Sequence, residues 1–257
     1  MRSNKKTWLI APAFMAILLA PACNNSSKTN KTLNDCSWKE IKQISQNGQA
    51  RKCFKIGDTK DITVNGKNQK ARIIGFNQDK NSKGKKIGIT FEFENLLSDQ
   101  NGYCLAAYWQ NTNTTSSANY DYLNSTIRAV LNGSGTANIK WFQYFGKNED
   151  EDRNMKFSDE YVDTSVLDML PDDLVSELTA PAKYVSVYNH DESKFTETIV
   201  NDKLFLLSPR EMGYQGEEQE ASTFTYEYYE GHYVVDNVQL NNINIFKLTI
   251  PCADTPV

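Results

Sequence analysis

A charge-free apolar run from Trp8 to Ala22 constrains this chain more than any other feature. It follows Arg2, Lys5 and Lys6 and closes in Ala20-Pro21-Ala22-Cys23. The run is shorter than the ~20 apolar residues a permanent spanning helix needs. Its layout is that of a secretory leader: a positive n-region, an apolar h-region and small residues before the scissile bond. Residues 1–22 therefore read as a signal peptide. Ala20-Pro21-Ala22 fits the A-x-A site of the ordinary peptidase. Followed by Cys23, the same residues also fit a relaxed lipobox, in which the cysteine is acylated before cleavage; Pro21 is unusual there. Lipidation of Cys23 is the preferred reading, because Asn24 to Asn34 is almost entirely Asn, Ser, Lys and Thr, with one Leu. Such a stretch buries too little apolar surface to offset its ordering entropy. Residues 23–35 are expected to be a flexible spacer between anchor and folded body.

An exported chain meets an oxidising compartment, and this bears on its five cysteines. With Cys23 acylated, Cys36, Cys53, Cys104 and Cys252 remain, an even number that suggests two disulfides. Four cysteines allow three connectivities, of which Cys36–Cys53 with Cys104–Cys252 is preferred; the alternative is buried free thiols. No C-x-x-C pair exists and the chain has only His190 and His232, so no zinc site is expected. The 13 Tyr, 12 Phe and 4 Trp point to a β-rich body with a sizeable core. A net charge of −4 argues against a nucleic-acid partner, which would demand a basic face. No second hydrophobic segment long enough to cross a membrane is present.

Local patterns give a coarse order of elements. Ser37-Trp38-Lys39-Glu40 is a capping box, and Trp38, Ile41 and Ile44 fall on one face of a short helix ended by Asn47-Gly48. Three strand-like runs follow: Cys53 to Val64, broken near Gly57-Asp58, then Ala71 to Phe76 and Ile87 to Phe93. Asn65-Gly66 and the Asn/Lys/Gly cluster from Asn77 to Lys86 are turn chemistry, so a three-stranded meander is expected. Tyr122 to Asn132 reads as a helix with an apolar stripe of Leu123, Ile127, Val130 and Leu131, ended by Gly133. A helical region between Thr164 and Leu178 is divided by Pro171, with Leu170, Leu174 and Leu178 on one face. Lys203 to Leu207, Phe224 to Tyr229, Tyr233 to Val235 and Ile245 to Ile250 read as strands.

These motifs together resemble a domain of unknown function found in surface-exposed and secreted proteins of low-GC bacteria and spirochaetes. The resemblance runs through Trp38-Lys39-Glu40-Ile41, Phe54-Lys55-Ile56-Gly57-Asp58, Ile73-Ile74-Gly75-Phe76 and Ile89-Thr90-Phe91. The family string W-x-x-S-x-I-R-x-x-L-N is matched by Tyr122, Ser125, Ile127, Arg128, Leu131 and Asn132, with Tyr in place of Trp. Leu170-Pro171-Asp172-Asp173-Leu174 matches L-P-x-D-L. Asp202-Lys203-Leu204-Phe205-Leu206-Leu207-Ser208, with Glu211, matches D-K-x-F-L-L-S-x-x-E. The resemblance covers residues 36–213 and implies an extracellular α+β domain, C-type-lectin-like or related, with no known enzyme activity. The family's C-terminal W-x-L-R-S and G-V-R-P strings are missing here, so residues 214–257 form a divergent β-rich segment of the same fold.

Catalytic constellations are sparse. No Ser sits in a G-x-S-x-G context that would pair with either histidine. Carboxylates cluster at Glu149 to Asp152, Asp172-Asp173, Glu217-Glu218 and Glu220, but adjacent acids in polar runs are usually solvated faces; a glycosidase needs two acids across a cleft. Calcium at Asn148 to Asp152 would lack an EF-hand pattern. Arg128 and Asn132 share a helix face and, with Asp202, could form a fold-specifying polar cluster. The aromatics Tyr226, Tyr228, Tyr229 and Tyr233 could stack on sugars or fill a partner's pocket, or else pack in the core.

The expectation is thus an α+β body with an antiparallel sheet and two or three short helices. It is expected to be held by a lipid at the outer face of a membrane, or secreted. It is expected to act without catalysis, as a binding or adhesion module for a glycan or protein. The alternatives are an envelope-associated hydrolase and a purely structural envelope lipoprotein. No cofactor, metal or nucleic-acid partner is expected.

Overall fold

The computed structural model describes residues 31–95, 97, 122–123, 126–133, 140–144, 155–161, 164–189, 194–208, 210–213, 224–230 and 248–254. Its organising element is an antiparallel sheet of five strands in the order β1-β2-β3-β9-β8. These are β1 (Thr59–Val64), β2 (Lys67–Phe76), β3 (Ile87–Phe93), β9 (Leu248–Asp254) and β8 (Phe205–Leu206). Two hairpins form separate two-stranded sheets: β4 (Lys140–Tyr144) with β5 (Met155–Tyr161), and β6 (Lys183–Asn189) with β7 (Lys194–Val200). The helices are short: α1 (Trp38–Gln46), α2 (Ala50–Cys53), α3 (Thr126–Asn132) and α4 (Asp172–Val175). The fold is therefore α+β with antiparallel sheets and few helices. Among the described residues, no helix is long and apolar enough to cross a membrane.

Local chemistry explains the first half. The Ser37 hydroxyl accepts from the Glu40 amide at 3.2 Å, and the Glu40 carboxylate accepts from the Ser37 amide at 2.8 Å. This capping box satisfies amides that the first helical turn leaves without partners. Trp38, Ile41 and Ile44 are buried, and Trp38 meets Phe91 of β3 edge to face at 5.5 Å. Asn65 and Gly66 both take positive φ, 50° and 75°, as a two-residue hairpin between Val64 and Lys67 requires. Ile89, Phe91 and Phe93 project to the α1 side and join the main apolar core. Thr90 and Glu92 project to the opposite side, yet both are fully buried. What covers that second face positions the candidate site.

The structure revises several expectations. Residues 53–58 are not a strand: Cys53 ends α2, and β1 begins at Thr59. The strand expected from Ala71 begins earlier, at Lys67, and α3 begins at Thr126 with Tyr122-Leu123 in a turn. Phe224 to Tyr229 is not a strand either; Glu227–Tyr229 is a 3-10 turn. The last residues of the expected spacer are part of the fold. Leu33 is buried, Asp35 caps a 3-10 turn through the Thr32 amide and hydroxyl, and Asn34 exchanges hydrogen bonds with Asp61 of β1. The leader, Cys23 and residues 214–223 lie outside the described residues.

The cysteines also differ from expectation. Cys36 is a buried free thiol, 3.5 Å from the Thr32 carbonyl, so the Cys36–Cys53 bridge is not formed. Its capture by the first 3-10 turn, facing the core, keeps it from a partner. Cys53 is disulfide-bonded. Cys104 and the Cys252 side chain lie outside the described residues. Burial, with Glu40 nearby, pushes the Cys36 thiol above its ordinary value and so suppresses the reactive thiolate. Alkylation of the native protein should spare Cys36. Denaturation without reductant should expose it, while Cys53 should react only after reduction. Peptide mapping that finds Cys36 modified only after reduction would contradict this assignment.

Candidate functional site

The second face of the sheet carries a buried polar cluster centred on Asp79, just beyond β2. Asp79 Oδ2 accepts from the Thr90 hydroxyl at 2.5 Å, and the Tyr226 hydroxyl lies 2.8 Å from both carboxylate oxygens. Lys183, the first residue of β6, brings Nζ to 2.7 Å from Asp79 Oδ1, Glu211 Oε1 and the Tyr226 hydroxyl oxygen. All three ammonium protons thus have acceptors. The ammonium also lies 4.0 Å from the Phe205 ring centroid. Glu211 is fixed in turn: its Oε2 accepts from the Ser208 amide at 2.9 Å, and its carbonyl accepts from the Tyr226 amide at 2.9 Å.

A neighbouring cluster uses the next inward positions of the same strands. Arg72 of β2 donates through Nε to Glu92 Oε1 of β3 at 2.9 Å, with Nη2 on the same oxygen. The Tyr229 hydroxyl donates to Glu92 Oε2 at 2.5 Å, and the Arg72 guanidinium lies 4.3 Å over the Tyr228 ring. Segment 224–230 is held from outside as well. Arg51 of α2 grips the Glu227 carboxylate with two donors, at 2.8 and 2.5 Å. Gln78 donates to the Thr225 carbonyl at 2.9 Å and accepts from the Glu227 amide at 3.0 Å. Gly75 makes this approach feasible: a Cβ there would lie 2.8 Å from the Tyr226 ring and 2.4 Å from Gln78 Oε1.

The third polar contact is the one anticipated around Arg128. Its Nε and Nη2 reach the two Asp202 oxygens at 2.7 and 3.0 Å, and Nη1 donates to the Leu123 carbonyl at 2.9 Å. Asn132 pairs with both backbone groups of Leu204, at 2.8 and 3.1 Å. Arg128 and Asn132 of α3 and the Asp202–Leu204 segment therefore meet as a structural splice between distant parts of the chain.

Of the candidate ligand-binding tyrosines, the three that lie among the described residues do not form a wet face. Tyr226 and Tyr229 are 0% and 6% exposed, and Tyr228 is half-buried against Arg72. The physical reason is the 3-10 turn: its three-residue repeat sends Tyr226 and Tyr229 to the same side, onto the sheet, rather than alternating them. Tyr233, His190, His232 and the acidic residues Glu149 to Asp152, Glu217, Glu218 and Glu220 lie outside the described residues. Asp172 and Asp173 are exposed at the start of α4. Among the described residues, no cluster of potential ligands could hold a metal ion. Sequence reasoning did not single out Asp79, Lys183 or Glu92 at all. Glu92 stood out only as a polar residue within the apolar β3 run, whereas Asp79 lies in a polar turn and Lys183 at the start of β6, where charge is ordinary. No family model matches this chain, and neither the curated proteins nor the solved structures yielded a match.

The electrostatics favour a fixed network over proton transfer near neutral pH. Burial opposes the charge on Lys183, but Asp79 and then Glu211 outweigh it, so its pKa lies above the ordinary lysine value. Burial, Asp79 and Glu211 together push Tyr226 well above the ordinary phenol value. Burial, then Glu92, does the same to Tyr229. The lysine stays charged and the phenols stay neutral.

Lys183→Met strands two buried carboxylates and should cost ~3–5 kcal/mol, read as a lower denaturant midpoint. Lys183 and Tyr226 hold their protons more tightly when folded, so their contribution is fully present below the ordinary values of 10.5 and 10.0. It is lost as pH rises through those values towards the folded ones. Denaturant midpoints attributable to this cluster should therefore be level from about pH 7 to pH 9 and fall above it. Tyr226→Phe should lose ~1.5–3 kcal/mol at neutral pH and show a shallower alkaline decline. An equally steep decline in Tyr226→Phe would contradict the tyrosine's part in it.

Proposed function

We propose that this chain is a non-enzymatic lipoprotein of the cell envelope, tethered through Cys23 at the outer face of a membrane. Its folded body then serves as a binding or adhesion module for a glycan or protein ligand. The observation that carries the proposal is the leader ending in Ala20-Pro21-Ala22-Cys23. The place where the fold begins supports it. Thr32 already caps the first turn, so the stretch after Cys23 has the length of a short tether rather than of a further domain. The resemblance to surface-exposed bacterial domains supports it too, and a C-type-lectin-like or related topology belongs to the same reading.

The buried clusters bear on which part of the body could bind. Tyr226 and Tyr229 are committed to Asp79 and Glu92, so a ligand surface has to lie elsewhere on the molecule. That commitment also favours a second reading, in which the protein is a purely structural envelope component. The Asp79–Lys183–Glu211 group has an acid-rich composition that a hydrolase could use. Its donors and acceptors are instead spent on one another.

The anchor is tested on the native protein. The mature form should partition into detergent and carry acyl chains on an N-terminal Cys23. Two or more chains hold a protein stably, whereas one binds only marginally. Cys23→Ser should block processing or release the protein into the soluble fraction. A mature N-terminus at Cys23 with no added mass would replace anchoring by simple secretion.

A further inference from the structure

We propose that the Lys80–Lys86 turn and the exposed Tyr184–Ile199 pair form one surface that rests on an anionic bilayer. The two features are physically joined, because the Ala182 amide at the head of β6 donates to the Lys80 carbonyl at 2.8 Å. Between β2 and β3, the segment from Lys80 to Lys86 carries Lys80, Lys83, Lys85 and Lys86 and no acid; Asp79, just before it, is buried and paired with Lys183. Lys80, Lys83 and Lys86 are exposed and Lys85 is half-buried. Among the described residues, Lys80, Lys83 and Lys85 have no ion-pair partner. The turn is braced: Asn81 Oδ1 accepts from the Lys83 and Lys85 amides at 3.0 Å each, and Gly84 takes φ 76°. Its charges are therefore presented on a fixed scaffold.

Tyr184 and Ile199 stand directly opposite each other in the β6–β7 register and so share a face. They are 56% and 43% exposed, the two exposed large hydrophobics among the described residues. Alternation explains the contrast with their neighbours. Lys183 and Val200, one position away and also paired, turn inward. A tyrosine beside an aliphatic residue and next to several lysines suits the headgroup boundary, where an amphipathic ring sits among anionic lipids. Glu197, exposed two residues before Ile199, is a local countercharge that Lys80, Lys83 and Lys85 outnumber.

The choice of a bilayer as occupant rests on the anchor reading. The fold begins at Thr32, nine residues after Cys23. Nine residues span at most ~32 Å, so a lipid on Cys23 would hold the body within about that distance of the headgroups. Tethering supplies proximity, and the basic and apolar patch supplies orientation.

The test uses the mature chain from residue 23 carrying Cys23→Ser, so that no acyl chain contributes. It should co-sediment with phosphatidylcholine vesicles containing about one-third phosphatidylglycerol, not with pure phosphatidylcholine, and less at high salt. Each lysine near an anionic surface contributes about a fivefold affinity, so the triple change Lys80→Glu, Lys83→Glu, Lys85→Glu should weaken binding ~100-fold or more. Tyr184→Ser with Ile199→Ser should weaken it while leaving the thermal midpoint nearly unchanged. Lys39→Glu with Lys52→Glu, exposed elsewhere, should have little effect. Failure of the parent to bind, or equal loss from the Lys39/Lys52 control, would overturn the proposal. So would binding to soluble polyphosphate with no preference for vesicles, which would assign the patch to an anionic polymer. The anchor reading is judged separately, from the mass of the native N-terminus.

Discussion

Asp79 takes hydrogen bonds from Thr90 eleven residues on and from Tyr226, 147 residues on, while Lys183 pairs with it across another long stretch of chain. Most of the architecture around the sheet follows from keeping that carboxylate satisfied. A buried carboxylate without partners is so unfavourable that the chain must deliver donors to it. The donors come from β3, from the start of β6 and from the turn at 226. Thr90 comes from the sheet itself, while Lys183 and Tyr226 bring the start of β6 and the 224–230 segment over one of its faces. The Arg72–Glu92–Tyr229 group extends the same logic one step along β2 and β3.

The sheet thus has two unlike buried faces. One is apolar, where Phe91 meets Trp38 and Ile73 packs with Ile41 in the main core. That side supplies the bulk of the burial energy, with each large side chain contributing on the order of 1.5–3 kcal/mol. The other side is a network of paired charges and phenols. Such a network contributes little net stability over an apolar replacement, but breaking it is costly. Its geometry also admits few alternatives, since one lysine must satisfy two carboxylates and a phenol at once. Among the described residues, Tyr226 and Tyr229 are spent on holding segment 224–230 to the sheet.

Much of the first half was legible in local chemistry. The Ser37–Glu40 box, the Asn65-Gly66 turn and the bounds of β3 follow from short-range rules, and the Arg128–Asp202 pair from helical spacing plus charge. The second face was not legible, for two reasons. The Ile87–Phe93 run alternates apolar and small or polar residues, a pattern that describes a wet face as well as one buried under compensating charge. The run from Phe224 to Tyr229 has a period-two look, yet tertiary anchoring through Gln78 and Arg51 winds it into a 3-10 turn. Cysteine spacing likewise cannot say which thiols pair. Cys36 stays free because Thr32–Asp35, expected to be spacer, folds back onto β1.

Segment 224–230 is an integral cover of the sheet. Site-resolved hydrogen exchange on the native protein tests it most directly. The Tyr226 amide donates to Glu211, the Glu227 amide to Gln78 and the Tyr229 amide to Tyr226. If the segment opens only with the sheet, these amides should exchange about as slowly as those of β3, through global rather than local unfolding. Exchange at the rate of an unprotected chain, with β3 still protected, would show a detachable flap and contradict the account.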